Sequence, residues 1–258
     1  MKMTVNLHTH TARCNHASGT ERDYIENAVT GGLEVLGFAD HSPYVFRNGY
    51  YSDYRMTPEE QEDYVKTLTS LREEYKDKID IKIGYEAEYY PALFDDFLKL
   101  ITRFPLDYLI LGQHFIGNED KHVYGGRCTD DDFNAYIKQT CEGMRTGVFT
   151  YLAHPDLMNY TGDEKLYEKN YSALIECAME MKMPLEINLL GIRDHRTYPT
   201  EKFFKLCGKY GAEVCVGCDA HDPKSVADHE SFAVASEWID RYGLKFAEYP
   251  RLVPVERV

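Results

Sequence analysis

Apolar stretches of strand length alternate along this chain with longer segments whose apolar residues recur at helical spacing. The pattern predicts strands at residues 4–10, 33–40, 79–85, 108–111, 149–153, 185–189 and 213–218, with a short tail strand at 244–247. Helices are expected over about 20–31, 57–78, 91–103, 130–146, 163–182, 200–210 and 225–242. Their ends carry recognisable chemistry. Thr57-Pro58-Glu59-Glu60 supplies a cap, a first-turn proline and early acids, and Thr129 precedes three aspartates. Gly31-Gly32 closes the first helix.

Strict alternation of strand and helix implies a parallel sheet with right-handed crossovers. Seven units within 258 residues, with no linker rich in Pro, Gly or Ser, predict one α/β domain over 1–258. A closed, TIM-like (β/α)7 barrel fits that size better than an open sheet. No Gly-x-Gly-x-x-Gly follows the first strand, which weakens a dinucleotide-binding reading.

Charge narrows the partners. A net charge of −14 argues against nucleic acid, which needs a basic footprint, but leaves room for an anionic substrate beside bound cations. No apolar leader precedes the first strand, and no run reaches transmembrane length, so no membrane partner is expected. Seven scattered cysteines read as free thiols in a reducing cytoplasm. Cys215 and Cys218 lie three apart on a predicted strand and so face opposite sides, against a paired redox or metal role. A monomer or small homo-oligomer is expected.

The histidines carry the chemistry. His8, His10, His41, His114, His154 and His221 stand at the carboxyl ends of predicted strands, and His16 lies just beyond one. In parallel barrels that end holds the active site. Glu86 and Asp219 share the level, and the i, i+2 pairs His8/His10 and Asp219/His221 each project to one side. Imidazoles and carboxylates suit zinc, iron or manganese. The set exceeds what one tetrahedral ion uses, so two or three divalent ions fit better. Two-metal sites of this kind place a bridging hydroxide beside a substrate oxygen. His122, His195 and His229 read as ordinary polar residues.

The ordered pieces His8-Thr9-His10, His16, Asp40-His41, Gly84-Tyr85-Glu86, His114, Ala153-His154-Pro155 and Asp219-Ala220-His221 resemble the PHP (polymerase and histidinol phosphatase) superfamily of metal-dependent phosphoesterases. The segments Cys14–Gly19, Gly84–Tyr89, Gly112–Phe115 and Glu186–Pro199 look most like its monofunctional histidinol-phosphate phosphatases, with Gln113 as a departure. The resemblance implies hydrolysis of histidinol phosphate in histidine biosynthesis by attack of a metal-bridging hydroxide; the alternative is another phosphoesterase acting on a nucleotide or small phosphomonoester. It implies three metal positions: His8, His10, Glu86 and Asp219; then Glu86, His114 and His154; then His16, His41 and His221.

The remaining roles are read from position. Arg193, just past the sixth strand, is the first choice for phosphate, and its loss is expected to raise KM. Arg196 and Arg127 follow, then Lys121. Asp222 or a bound water is expected to protonate the leaving alkoxide. Glu88 is a ligand, a support for one, or part of an acidic wall facing the substrate's cationic amine, to which the tyrosines of residues 44–54 would add aromatic faces.

Overall fold

In the computed structural model, which describes residues 1–119 and 128–256, the parallel sheet curls into a distorted seven-stranded ring. The elements run β1 (Val5–Asn6), α1 (Glu21–Thr30), β2 (Val35–His41), α2 (Gln61–Tyr75), β3 (Asp80–Ala87), α3 (Phe94–Ile101), β4 (Tyr108–Leu111), α4 (Asp130–Arg145), α5 (Glu164–Met181), β5 (Leu185–Asn188), α6 (Leu189–Arg193), α7 (Glu201–Tyr210), β6 (Glu213–Gly217), α8 (His229–Tyr242) and β7 (Lys245–Phe246). β1 to β4 pair in sequence order, as do β5 to β7. Leu152 joins the two sheets by pairing with both Leu111 and Leu185, and Thr9 closes the ring on Ala220. β7 pairs only with the first residues of β6, so it sits beside the ring at the end opposite the histidines.

Two predicted strands shorten for visible reasons. The first breaks after Asn6 because the Asn6 side chain takes over ladder bonding. Its Oδ1 accepts from the backbone of His8 and Cys218, both at 3.0 Å, and its Nδ2 donates to Thr9 Oγ1 and Val226 O. The sixth ends at Asn188, whose Oδ1 caps α6 at Gly191 N, 3.0 Å away. The expected strand at 149–153 contracts to Leu152 but keeps ladder-type bonds on both sides, Leu152 N to Pro184 O and Ala153 N to Leu111 O. α8 starts later than expected because Asp228 caps it at Ser231 N.

Inward residues of the ring fill it: Val5, Leu7, Val35, Ala39, Tyr108, Ile110, Tyr151, Ala153 and Cys215 form one apolar cluster. The outward residues pack on the helices in a second, larger one that includes Cys218. Cys215 and Cys218 thus lie in different layers, as their spacing predicts. The packed ring is a rigid plug beneath the strand ends, so residues projecting from those ends are held to one geometry.

Candidate metal centre

Parallel pairing sets the donors at one height. His41 is in register with Glu86, and the closing bridge sets Thr9 beside Ala220, which aligns His8 and His10 with Asp219 and His221. His8, His10, Glu86 and His154 are nearly inaccessible to solvent, and Asp219 and His41 are buried. Asp219 and His154 hold left-handed backbone angles, φ 46° and 30°, which non-glycine residues rarely adopt and which concentrate at functional sites.

Glu86 stands at the centre. Its Oε2 lies 3.1 Å from His41 Nδ1, 3.5 Å from His8 Nε2 and 3.6 Å from His10 Nε2. Its Oε1 lies 2.7 Å from His154 Nε2 and 3.5 Å from His114 Nε2. Asp219 Oδ1 is 3.1 Å from His10 Nε2 and 3.6 Å from His8 Nε2. A tetrahedral ion with bonds of about 2.0–2.1 Å sets its donor atoms about 3.3 Å apart, which the 3.1–3.6 Å separations suit, while His154 and Glu86 stand at hydrogen-bond distance. His8 Nε2, His10 Nε2, His41 Nδ1 and His221 Nε2 are buried without any hydrogen-bond partner. Buried polar atoms are normally satisfied, and orphans converging on carboxylates fit a cation between them.

Among the described residues several sets of donor atoms each converge within 4.8 Å, including His8, His10 and Asp219; His8, Glu86 and His154; His10, His41 and His221; and His10, Cys14 and Asp40. Cys14 forms a further set with His16 and His221, a sulfur donor absent from the sequence reading. His16 is exposed at the rim, its Nδ1 held 2.7 Å from Cys14 O and its ring stacked on His221.

The electrostatics agree. Burial pulls the His8 imidazole down, but Glu186, Asp219 and Glu86 outweigh it and push its pKa up to about 10. Burial opposes the charge on Glu86, yet His114, His8 and His41 hold its carboxyl well below the usual range. His41 is held low by burial and by neighbouring His10, and His221 is pushed down to about 3 by the same causes. The cluster cannot protonate all its imidazoles together, which leaves neutral nitrogen lone pairs facing carboxylates.

Two further carboxylates, outside the set expected from the sequence, support the donors. Glu186 Oε1 sits 2.8 Å from His8 Nδ1 while its Oε2 accepts from His154 N at 3.0 Å. Asp40 Oδ1 sits 3.4 Å from His10 Nδ1 and accepts from His41 N at 2.8 Å. Such partners fix ring orientation and raise ligand basicity. The available signal was the alternation in Leu-Glu-Ile-Asn at 185–188, which turns two polar side chains into an otherwise apolar barrel.

Glycines make room for these carboxylates. A Cβ on Gly112 would lie 1.9 Å from Glu86 Oε1, and one on Gly217 would lie 2.0 Å from Glu186 Oε1. Gly112→Ala is therefore expected to displace Glu86 and lower metal content and turnover by about 10–100-fold, with the far-ultraviolet circular dichroism unchanged. A Gly112→Ala protein with full metal content and turnover would contradict this placement.

Above the cluster opens a cavity of about 690 Å³. Its walls are Tyr54, Phe115, Leu190 and Tyr198, and its charged groups away from the cluster are Asp53, Asp194 and Arg196. The favoured arginine, Arg193, does not line it. Arg193 ends α6 pointing toward the start of α8, where its Nη1 donates to Asp228 Oδ2 at 2.9 Å. Arg196, the second choice, does line it. Asp222 is also outside the cavity, because it caps the turn at Pro223–Ser225 and accepts from Ser18 Oγ. Glu88 is buried beneath the wall, 3.0 Å from the outer nitrogen Nδ1 of His114, and does not line the cavity. Tyr44 packs on Phe97, whereas Tyr54 faces the cavity. Arg127, Lys121 and His122 fall outside the described residues.

Comparison with known proteins matches the PHP domain family model to residues 6–190. A probable histidinol-phosphatase of Deinococcus radiodurans is 26% identical over 230 residues, 85% of this chain and 86% of that protein. The histidinol-phosphatase of Lactococcus lactis is 29% identical, over 86% of this chain and 85% of its own length. A crystal structure of the histidinol phosphate phosphatase from L. lactis, complexed with zinc, L-histidinol and phosphate, superposes with a TM-score of 0.77 at 18% identity, over 99% of this chain and 98% of that one. At that identity the match shows a shared fold.

Proposed function

The chain belongs to the PHP domain family, and from that premise we propose that it is a histidinol-phosphate phosphatase, hydrolysing L-histidinol phosphate to L-histidinol and inorganic phosphate. The observation that carries the reading is the floor of the cavity, where seven imidazoles and two carboxylates meet beneath a wall that offers both signs of charge. Related proteins along nearly the same length carry the same activity in their names.

Two or three divalent ions, with zinc, iron and manganese all compatible with the donors, would sit there. One would be held by His8, His10, Glu86 and Asp219, a second by Glu86, His114 and His154, and a third by His16, His41 and His221. When bound, such ions lower the pKa of water and polarise phosphoryl oxygens. The protein's own part is orientation and charge. Glu186 and Asp40 hold His8 and His10 with their outer nitrogens turned inward. Arg196 offers a guanidinium to the phosphate. Asp53, Asp194 and the faces of Tyr54 and Tyr198 receive the cationic amine and the imidazole of the alcohol. The whole of 1–258 acts as one catalytic unit in this reading, and its seven unpaired cysteines fit a reducing cytoplasm. Among the described residues no helix is long and apolar enough to cross a membrane.

Arg196→Ala is expected to raise KM for histidinol phosphate about tenfold, the worth of one charged hydrogen bond, and Arg193→Ala to leave it unchanged. The reverse pattern in steady-state kinetics would move the phosphate to the other side of α6. The wider test is elemental analysis with a panel of phosphomonoesters. Two or three transition metals per chain and a strong preference for histidinol phosphate over nucleoside monophosphates are expected; equal turnover across the panel would sink the substrate, and no metal with no activity after metal addition would sink the reaction.

A further inference from the structure

Arg55 lies in the loop between β2 and α2, next to the cavity-lining Tyr54, and is only 2% exposed. A buried guanidinium persists only when its charge and its donors are matched. Here Nε donates to Glu119 Oε2 at 3.0 Å, Nη1 to Ser42 O at 2.7 Å, and Nη2 to Glu88 Oε1 at 3.0 Å and to the Tyr54 hydroxyl. Its Cζ also lies 4.5 Å from the Tyr54 ring centre and 5.4 Å from that of Tyr44.

The partners are not random neighbours. Ser42 follows His41, Glu88 stands two residues after Glu86, and Tyr54 is the cavity wall. One atom joins them: Glu88 Oε1 accepts from Arg55 Nη2, accepts from the Tyr54 hydroxyl at 2.6 Å, and lies 3.0 Å from His114 Nδ1. A single carboxylate oxygen thus orients a donor imidazole on one side and the substrate wall on the other, with the guanidinium as its anchor.

We propose that Arg55 is a positioning residue that, through the shared Glu88 oxygen, holds His114 in its ligating orientation and fixes the Tyr54 wall against it, so that metal side and substrate side are set together. The inference rests on the reading of His114 as a ligand. A purely structural Arg55, present only to neutralise Glu88 and Glu119, would alter stability but not the metal retention or KM of the folded protein.

R55K keeps the charge but lacks the fork that spans Glu119, Ser42 and Glu88 together. The test loads R55K and the unaltered protein with zinc, then follows release to a chromogenic chelator alongside steady-state kinetics. In R55K one zinc equivalent is expected to leave about tenfold faster than in the unaltered protein, as is typical of a lost supporting contact, with the other equivalents unchanged and KM raised. E119Q, which loosens Arg55 without touching Glu88, is expected to shift both readouts in the same direction by less. Folded R55K or E119Q with unaltered zinc release and unaltered KM overturns the proposal, as does failure of both variants to fold. Absence of zinc from the unaltered protein overturns the ligand reading instead.

Discussion

Glu86→Gln is expected to cut turnover by at least about a thousandfold while the barrel stays folded. A metal site supplies several kcal/mol of transition-state stabilisation, and each 1.36 kcal/mol is about tenfold in rate. Glu86 is 1% exposed and its two oxygens face five imidazoles: His8, His10 and His41 on one, His114 and His154 on the other. Glutamine keeps the size but removes the charge and replaces one acceptor with a donor, turning N–H toward nitrogens that need a cation. Elemental analysis, turnover and circular dichroism on the same sample check the outcome. A folded Glu86→Gln protein with ordinary turnover would show that the carboxylate bridges nothing of consequence.

Chelation is expected to abolish turnover and leave a protein whose stability and metal affinity respond oppositely to pH. The ordinary imidazole pKa is 6.5, and in the metal-free fold burial pulls His8 down while Glu186, Asp219 and Glu86 push it up to about 10. A pKa raised on folding contributes stability that is complete below about 6.5 and is lost as pH rises through about 10. Metal needs the same nitrogen without its proton, so affinity rises with pH across that window. His10 is raised too, whereas His41 and His221 are held low and have no proton to give. Loading the metal-free protein with zinc at pH 7 is therefore expected to release at least one proton per chain, read as a buffer-dependent heat in titration calorimetry. The melting temperature of the metal-free form should fall from pH 7 to 9, and that of the zinc form should hold. Zinc uptake without proton release would contradict the charge state assigned to His8.

The wall loop illustrates what a linear reading can and cannot reach. Tyrosine-rich residues 44–54 suit a cationic substrate by composition, and Tyr54 does face the cavity, but Tyr44 is packed against Phe97. Arg55 left no mark in the sequence, because its partners come from residues 42, 54, 88 and 119, which only folding brings together. The arginines past β5 divide in the same way. Arg193 and Arg196 are three residues apart, and a short helix ending at Arg193 turns one toward Asp228 and leaves the other at the cavity.

By itself the sequence determined the strand-helix alternation and the height of the donors. Both are local properties: hydrophobic period chooses the element, and in a parallel ring every strand's carboxyl end lies at the same mouth, so a histidine at that end is already at the site. Tertiary structure alone decided the closure through Leu152 and the Thr9–Ala220 bridge, the pairing of Glu186 with His8 and Asp40 with His10, and the outward turn of Arg193 and Asp222. Those depend on which side chains from distant elements compete for the same charge, and spacing along the chain carries no record of that competition.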